Sequence, residues 1–204
     1  MPDNINDLLN YGTPQRIYKL HKVLAKRQKS LTIVLENVAD PHNLSACLRS
    51  CDAVGVFEVC LVYHSGQHFP NTYSTSSASA NKWIECRFFD SVSECFDTLH
   101  AENKKIFTTK LEHSSTSLYD LDLTQDVALV FGNEHAGVSE EAVTLADGNF
   151  LIPQIGVIQS LNISVACAVS LFEAMRQRNC QDMLDIQELS DPEIDVKLKE
   201  WLLK

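Results

Sequence analysis

The sequence predicts an α/β protein with a mainly parallel sheet, on three observations. Short apolar, β-branched runs alternate with segments whose apolar residues recur at helical spacing, the order of repeated strand–helix units. No internal repeat or low-complexity linker divides the 204 residues, a length sufficient for one sizeable domain with a real core. Apolar residues make up 45% and charged residues 22%, which excludes collagen-like and wholly disordered chains.

The elements follow in order. A basic helix is expected over about 14–29, with Ile17, Leu20, Val23 and Leu24 at helical spacing. LTIVLEN (31–37) reads as a buried strand ending at the turn ADPHN. NLSACLRSCDAVG (43–55) reads as a helix with Asn43 as its N-cap and Gly55 closing it. FEVCLVY (57–63) is a strand, and the serine-rich 64–81 a loop. WIECRFF (83–89) is a strand, and SVSECFDTLHAEN (91–103) a helix opened by a Ser91–Glu94 capping box. KIFTTK (105–110) and DVALVFG (126–132) are strands, SEEAVTLAD (139–147) a short helix capped by Ser139, and NFLIP (149–153) a strand. LNISVACAVSLFEAMRQR (161–178) is a long helix, and a last one begins at Asp191–Pro192. The expected organisation is a basic helical arm (1–29), a central domain (30–178) and a helical extension (179–204).

The net charge of −10 argues against a general nucleic-acid coat, but the charge is uneven. Residues 8–35 hold Arg16, Lys19, Lys22, Lys26, Arg27 and Lys29 and no acid, leaving eleven bases against 27 acids elsewhere. A basic arm on an acidic body suits a phosphate-rich partner met at one place. It equally suits a solvated amphipathic helix whose apolar stripe docks and whose bases face water. No apolar run reaches the roughly 20 residues of a membrane span, and MPDNINDLLN has no basic n-region, so a soluble cytoplasmic protein is expected. The seven cysteines include no C-x-x-C pair and read as reduced thiols. The Cys47/Cys51 and His64/His68 pairs each lack the further ligands of a zinc site, so no metal is expected.

Ligands of open α/β sheets sit at the carboxyl ends of strands. Three such exits stand out: DPHNLSACLR, where His42, Ala46 and Arg49 share a helix face; FGNEHAG; and IPQIGVIQSLN. Four of the seven glycines fall between 132 and 156, allowing tight loops and close backbone approach to something flat. Taken singly, Glu134 also fits a solvated loop acid, Arg49 a surface helix arginine and Asn43 a plain cap. No phosphate-loop, dinucleotide-turn, nucleophile-elbow or zincin motif is present.

The three blocks resemble the three motifs of the SpoU/TrmH branch of the SPOUT RNA methyltransferases. They are ENVADPHNLSACLRSCDAVG (36–55), LVFGNEHAGVSEE (129–141) and IPQIGVIQSLNISVACAVSLFEAMRQR (152–178). SSASANKWIE (76–85) resembles the branch's serine-rich loop, and the two end helices resemble those of its tRNA guanosine 2′-O-methyltransferases. The resemblance implies a Rossmann-like domain whose C-terminal part is tied in a deep trefoil knot, a topology that general chain-threading rules would not suggest. It implies S-adenosylmethionine as cofactor, a homodimer with active sites at the subunit interface, and the 2′-hydroxyl of an RNA ribose as acceptor.

Its nearest sub-branch modifies guanosine 18 of the tRNA D-loop. Ribosomal RNA, a tRNA wobble nucleotide, or a non-catalytic RNA-binding dimer are the alternatives. Carried over by motif position, Asn43, Arg49, Glu134, Ser160 and Asn162 are the catalytic set. Backbone around Leu111, Gly132, Ile152 and Leu161 holds the cofactor. His42 helps place the RNA, and Arg16, Lys19, Lys22, Lys26 and Arg27 bind it. Because a guanidinium keeps its proton, Arg49 is expected to act as an electrostatic clamp on the target phosphate and the 2′-oxygen rather than as a base.

Overall fold

A computed structural model of the chain describes residues 8–64, 82–111, 115–158 and 160–204. Most of the serine-rich loop, His68, the 76–81 stretch and Gln159 therefore lie outside the described residues. Seven strands form one sheet: β1 (Leu31–Glu36), β2 (Glu58–Val62), β3 (Glu85–Phe89), β4 (Lys105–Thr109), β5 (Thr116–Ser117), β6 (Val127–Phe131) and β7 (Gly148–Leu151). Their order is β3-β2-β1-β6-β4-β7-β5, and every pairing is parallel. The two-residue strand β5 was not expected from the sequence; it adds an edge beside β7.

Side chains of a strand alternate between faces, and β1 shows the result. Leu31, Ile33 and Leu35 enter one core with α2 (Pro41–Val54) and α5 (Ile163–Cys180), while Val34 enters the other with α3 (Val92–Ala101). The short helix α4 (Glu140–Leu145) packs beside α3 on that second face. Burial on both faces explains why β6 is apolar without interruption and why β1 is buried along its whole length, Thr32 and Glu36 included.

Two expectations on helix limits are corrected. Helix α1 (Pro14–Leu24) stops five residues short of Lys29, with Ala25 as its C-cap. The N-cap of α2 lies three residues before Asn43: Asp40 accepts from the His42 N–H at 2.8 Å, and Pro41 opens the first turn. Gly55 ends α2 at φ 91, as expected of a left-handed cap. Ser91 and Ser139 cap their helices.

The two end helices pack on each other. Ile17, Leu20 and Leu24 of α1 form a separate core with Leu189 and with Ile194, Leu198, Trp201 and Leu202 of α6 (Asp191–Leu202). Ion pairs reinforce the contact, Lys29 to Glu193 at 2.7 Å and Lys26 to Asp185 at 2.9 Å.

Arg27 corrects a functional expectation. Its side chain is fully buried, ion-paired with Asp52 of α2, donates to the carbonyls of Val56 and Trp83, and lies over the Trp201 ring at 5.3 Å. It fastens the end helices to α2 and is buried in the fold rather than displayed on the arm's surface. A second buried guanidinium, Arg178, donates to the carbonyls of Ser30, Leu123 and Gln125 and pins the end of α5 beneath β1. No described helix is long and apolar enough to cross a membrane.

Candidate active site

Because the strands are parallel, the carboxyl ends of β1, β6, β4 and β7 open on one side of the sheet, beside the β1–β6 reversal of strand order. A cavity of about 780 Å³ lies there, within the usual size of small-ligand sites. Its wall takes Ala39, Asp40 and Asn43 after β1, residues 109–111 after β4 and 131–138 around the end of β6. Leu151, Ile152 and Gln154 continue it after β7, and Ser160, Leu161 and Asn162 close it at the entry to α5.

The loop after β6 folds tightly. Asn133 and Gly137 exchange backbone hydrogen bonds of 2.9 Å, and Gly137 adopts φ 71. A Cβ built on Gly132 would overlap the backbone of Gly137 and Val138, so only glycine fits the crossing. Asn133 anchors the loop from outside. Its side-chain amide donates to the Asn37 carbonyl at 2.8 Å, and its Oδ1 accepts from the His135 and Ala136 N–H groups. Asn37 itself sits in the left-handed region at φ 52, which asparagine tolerates.

Glu36 closes the floor between loops. Its carboxylate is buried, accepts from the Ser139 N–H at 3.0 Å, and lies 3.0 Å from His64 Nε2. The sequence reading missed Asn133, Glu36 and Asp40. Asp40–Pro41 was the legible signal for the cap, and an asparagine two residues ahead of a turn N–H was the signal for Asn133.

Glu134 joins the motifs. It accepts from the N–H groups of Ala39 and Asp40 at 3.2 and 3.1 Å and from the Asn43 side-chain amide at 3.1 Å. Burial alone would raise its carboxyl, but the Asn43 amide and the surrounding backbone N–H groups outweigh it and hold it below the usual carboxylate range. Asn43 Oδ1 in turn accepts from the Asn162 amide at 3.1 Å. Asn162 Oδ1 caps α5 through the Ser164 N–H at 2.9 Å. Glu134 is therefore no solvated loop acid, and Asn43 is freed from capping to bridge two other side chains.

The structure thus brings together at one cavity Asn43, Glu134, Ser160 and Asn162 with Leu111, Gly132, Ile152 and Leu161. It does not bring Arg49 or His42 to that wall. Arg49 is exposed nearly two turns along α2 from Asn43, and it forms no ion pair or hydrogen bond among the described residues. His42 is exposed at the start of α2. Cys47 and Cys167 lie together in the core, where their mutual hydrogen bond and burial push the Cys47 thiol up and away from nucleophilic use.

The cavity fits a flat nucleoside-type cofactor. Apolar Leu111, Ile152 and Leu161 share its lining with polar Asn43, Glu134, Ser160 and Asn162, a mixture that suits an apolar ring carrying polar substituents.

Comparison with known proteins agrees with this arrangement. The chain is 44% identical over 193 residues to the tRNA (guanosine(18)-2′-O)-methyltransferase of Thermus thermophilus, covering 94% of this chain and 98% of that protein. Its structure resembles the crystal structure of the A. aeolicus TrmH/SpoU tRNA modifying enzyme, with a TM-score of 0.84 and 36% identity over 92% of this chain and 95% of that one. The SpoU methyltransferase AviRb of Streptomyces viridochromogenes, solved in complex with AdoMet, matches at a TM-score of 0.68 and 29% identity over 76% of this chain and 62% of that one. The SpoU rRNA Methylase family matches residues 30–172, which include the sheet, the Gly132 crossing and the Glu134–Asn43–Asn162 chain, and the protein belongs to that family.

Proposed function

We propose that the protein transfers a methyl group from S-adenosylmethionine to the ribose 2′-hydroxyl of guanosine 18 in tRNA. The observation that carries this reading is the hydrogen-bonded chain Glu134–Asn43–Asn162, formed at the cavity wall by residues of all three motifs. The 44% identity to a protein named for that reaction, over nearly the whole of both chains, supports the choice of acceptor.

Leu111, Gly132, Ile152 and Leu161 would hold the adenosyl part of the cofactor, which supplies an electrophilic methyl group on sulfur. Glu134 fixes the loop before α2, and Asn43 and Asn162 set the orientation of α2 against α5. Ser160, exposed at the cavity mouth, is placed to hydrogen-bond the acceptor ribose. Arg49 would clamp the target phosphate and stabilise negative charge as it develops on the 2′-oxygen, whose proton would pass to water. Holding the two reactants in line supplies much of the rate, on the order of 7–11 kcal/mol at best.

Arg49 lies outside the cavity of the single chain, which favours a homodimer in which the RNA spans both. The exposed Ile155, Val157, Ile158, Val165 and Phe172 are apolar surface that a second copy would cover. In this reading the segment from Ile152 through α5 forms the trefoil knot, and the protein works on tRNA in the cytoplasm.

Transfer of labelled methyl to unmodified tRNA transcripts carrying guanosine or adenosine at position 18 tests the reading. Labelling that requires the guanosine is expected. Labelling indifferent to it would move the acceptor to the wobble nucleotide or ribosomal RNA, and cofactor binding with no transfer would favour an RNA-binding module.

A further inference from the structure

The positive charge of the amino-terminal segment divides in two. Lys26, Arg27 and Lys29 are neutralised within the fold by Asp185, Asp52 and Glu193. Arg16, Lys19 and Lys22 are exposed and form no ion pair among the described residues. Helix α1 buries Ile17, Leu20 and Leu24. At 3.6 residues per turn, the opposite face carries Tyr18, Lys19 and Lys22, with Tyr18 and Lys22 stacked one turn apart. Tyr18 is 61% exposed, and α1 contains no acidic residue.

An exposed aromatic face flanked by uncompensated cations matches one chemistry well. A single-stranded nucleotide offers a base that stacks on the ring and phosphates that meet the ammonium groups. An acidic protein surface would satisfy the lysines but give the ring no flat partner. Outside residues 8–35 eleven bases stand against 27 acids, so this face concentrates positive charge that the fold leaves uncompensated.

We propose that Tyr18 is a stacking platform for an unpaired base of the RNA, with Lys19 and Lys22 on the neighbouring phosphates. The inference rests on the tRNA reading above and adds to it a contact through a base rather than through charge alone.

Stacking and ion pairing respond differently to salt, which separates them. Binding of an unmodified tRNA transcript, an oligouridylate and an RNA duplex would be measured across a potassium chloride series for wild type, Tyr18→Ala, Tyr18→Phe and Lys19→Gln/Lys22→Gln. Tyr18→Ala is expected to weaken binding of the tRNA and the oligouridylate by about 5- to 100-fold with an unchanged salt slope. It should leave the duplex unaffected, and Tyr18→Phe should bind like wild type. The lysine double variant should lower the magnitude of the slope by about 2. Because Tyr18 is exposed, its variants should keep the wild-type melting temperature, and this is checked alongside.

Wild-type affinity in Tyr18→Ala, or a loss shared equally by the duplex, overturns the stacking platform while guanosine-dependent methyl transfer by the same preparation leaves the tRNA reading standing. Failure of the wild type to bind any of the three RNAs overturns both and assigns the face to an acidic protein.

Discussion

The side-chain amide of Asn162 donates to Asn43 Oδ1 across 3.1 Å, joining residues 119 positions apart in the chain. The other end of the same side chain caps α5, so one residue both starts the helix and ties it to the first turn of α2. Any change at Asn162 therefore touches stability and site geometry together, unless the two ends are altered separately.

Asn162→Asp keeps the capping oxygen and removes the amide donor. It should melt within a few degrees of wild type while methyl transfer falls by at least about tenfold, because misplacement of positioning groups is costly to rate. Asn162→Ala should lose activity and also about 1 kcal/mol of stability with the cap. Thermal melts and single-turnover rates on the same preparations check both, and equal melting losses in the two variants would contradict the division.

The Glu134 carboxyl titrates below its ordinary value of 4.5 in the folded state. Its ionised form contributes stability at neutral pH, and that contribution is lost as pH falls from the unfolded value through the lower folded one. Glu134→Gln should thus be less stable than wild type at pH 7, and the gap should narrow below about pH 4. Melting temperature against pH for the two proteins is the measurement; parallel curves through the acid range would refute the assignment.

Arg49 has no partner among the described residues, so its removal should leave the fold intact. Arg49→Lys and Arg49→Ala are expected to melt as wild type, within about 0.5 kcal/mol. Turnover should fall by about 10²- to 10³-fold in the alanine variant, as for other groups that stabilise developing negative charge. Near-normal turnover in Arg49→Lys would show that a planar, two-pronged guanidinium is not required.

Gly132 and Gly156 offer a contrast in the same half of the chain. A methyl group at Gly132 meets backbone that cannot yield, whereas one at Gly156 meets open space. Gly132→Ala should cost about 1–3 kcal/mol or more and abolish cofactor binding, and Gly156→Ala should change neither. Calorimetric titration with S-adenosylmethionine, alongside urea unfolding, reads out both quantities.

Arg27→Leu leaves the Asp52 carboxylate and the Val56 and Trp83 carbonyls without their donor. The expected loss is about 1–3 kcal/mol, because the two carbonyls lose their donor while the partly exposed Asp52 carboxylate regains water. The salt slope of RNA binding at a temperature where the variant is folded should match wild type. A reduced slope would return Arg27 to the RNA-facing set.

Six of the seven strands and the long helices were legible because β6 is apolar without a break, β1 is interrupted only by Thr32 before its terminal Glu36, and α1 and α6 carry periodic stripes, whereas the two-residue β5 carries no such pattern. The limits of α2 were misread at Asn43 because asparagine caps helices well in isolation, while Asp40–Pro41, three residues earlier, satisfies the same need and releases Asn43 for the site. The catalytic set was reached through motif resemblance, and spacing alone placed only His42, Ala46 and Arg49 on one helical face. Docking of the α1 stripe was legible in its periodicity, but which bases of the arm stay free was not. Whether a lysine or arginine faces water or an acid depends on residues such as Asp52, Asp185 and Glu193, which local sequence does not bring near. Buried guanidinium groups such as Arg27 and Arg178 read in sequence as surface charge for the same reason.

The clasp of α1 and α6 also sets the order in which the protein matures. The stripe of Ile17, Leu20 and Leu24 leaves the ribosome well before Leu198, Trp201 and Leu202, which cover it. At about 5–20 residues per second, synthesis of the intervening chain takes on the order of 10–35 s. For that interval the nascent arm carries an uncovered apolar stripe beside its own positive charge, a surface for a chaperone to cover.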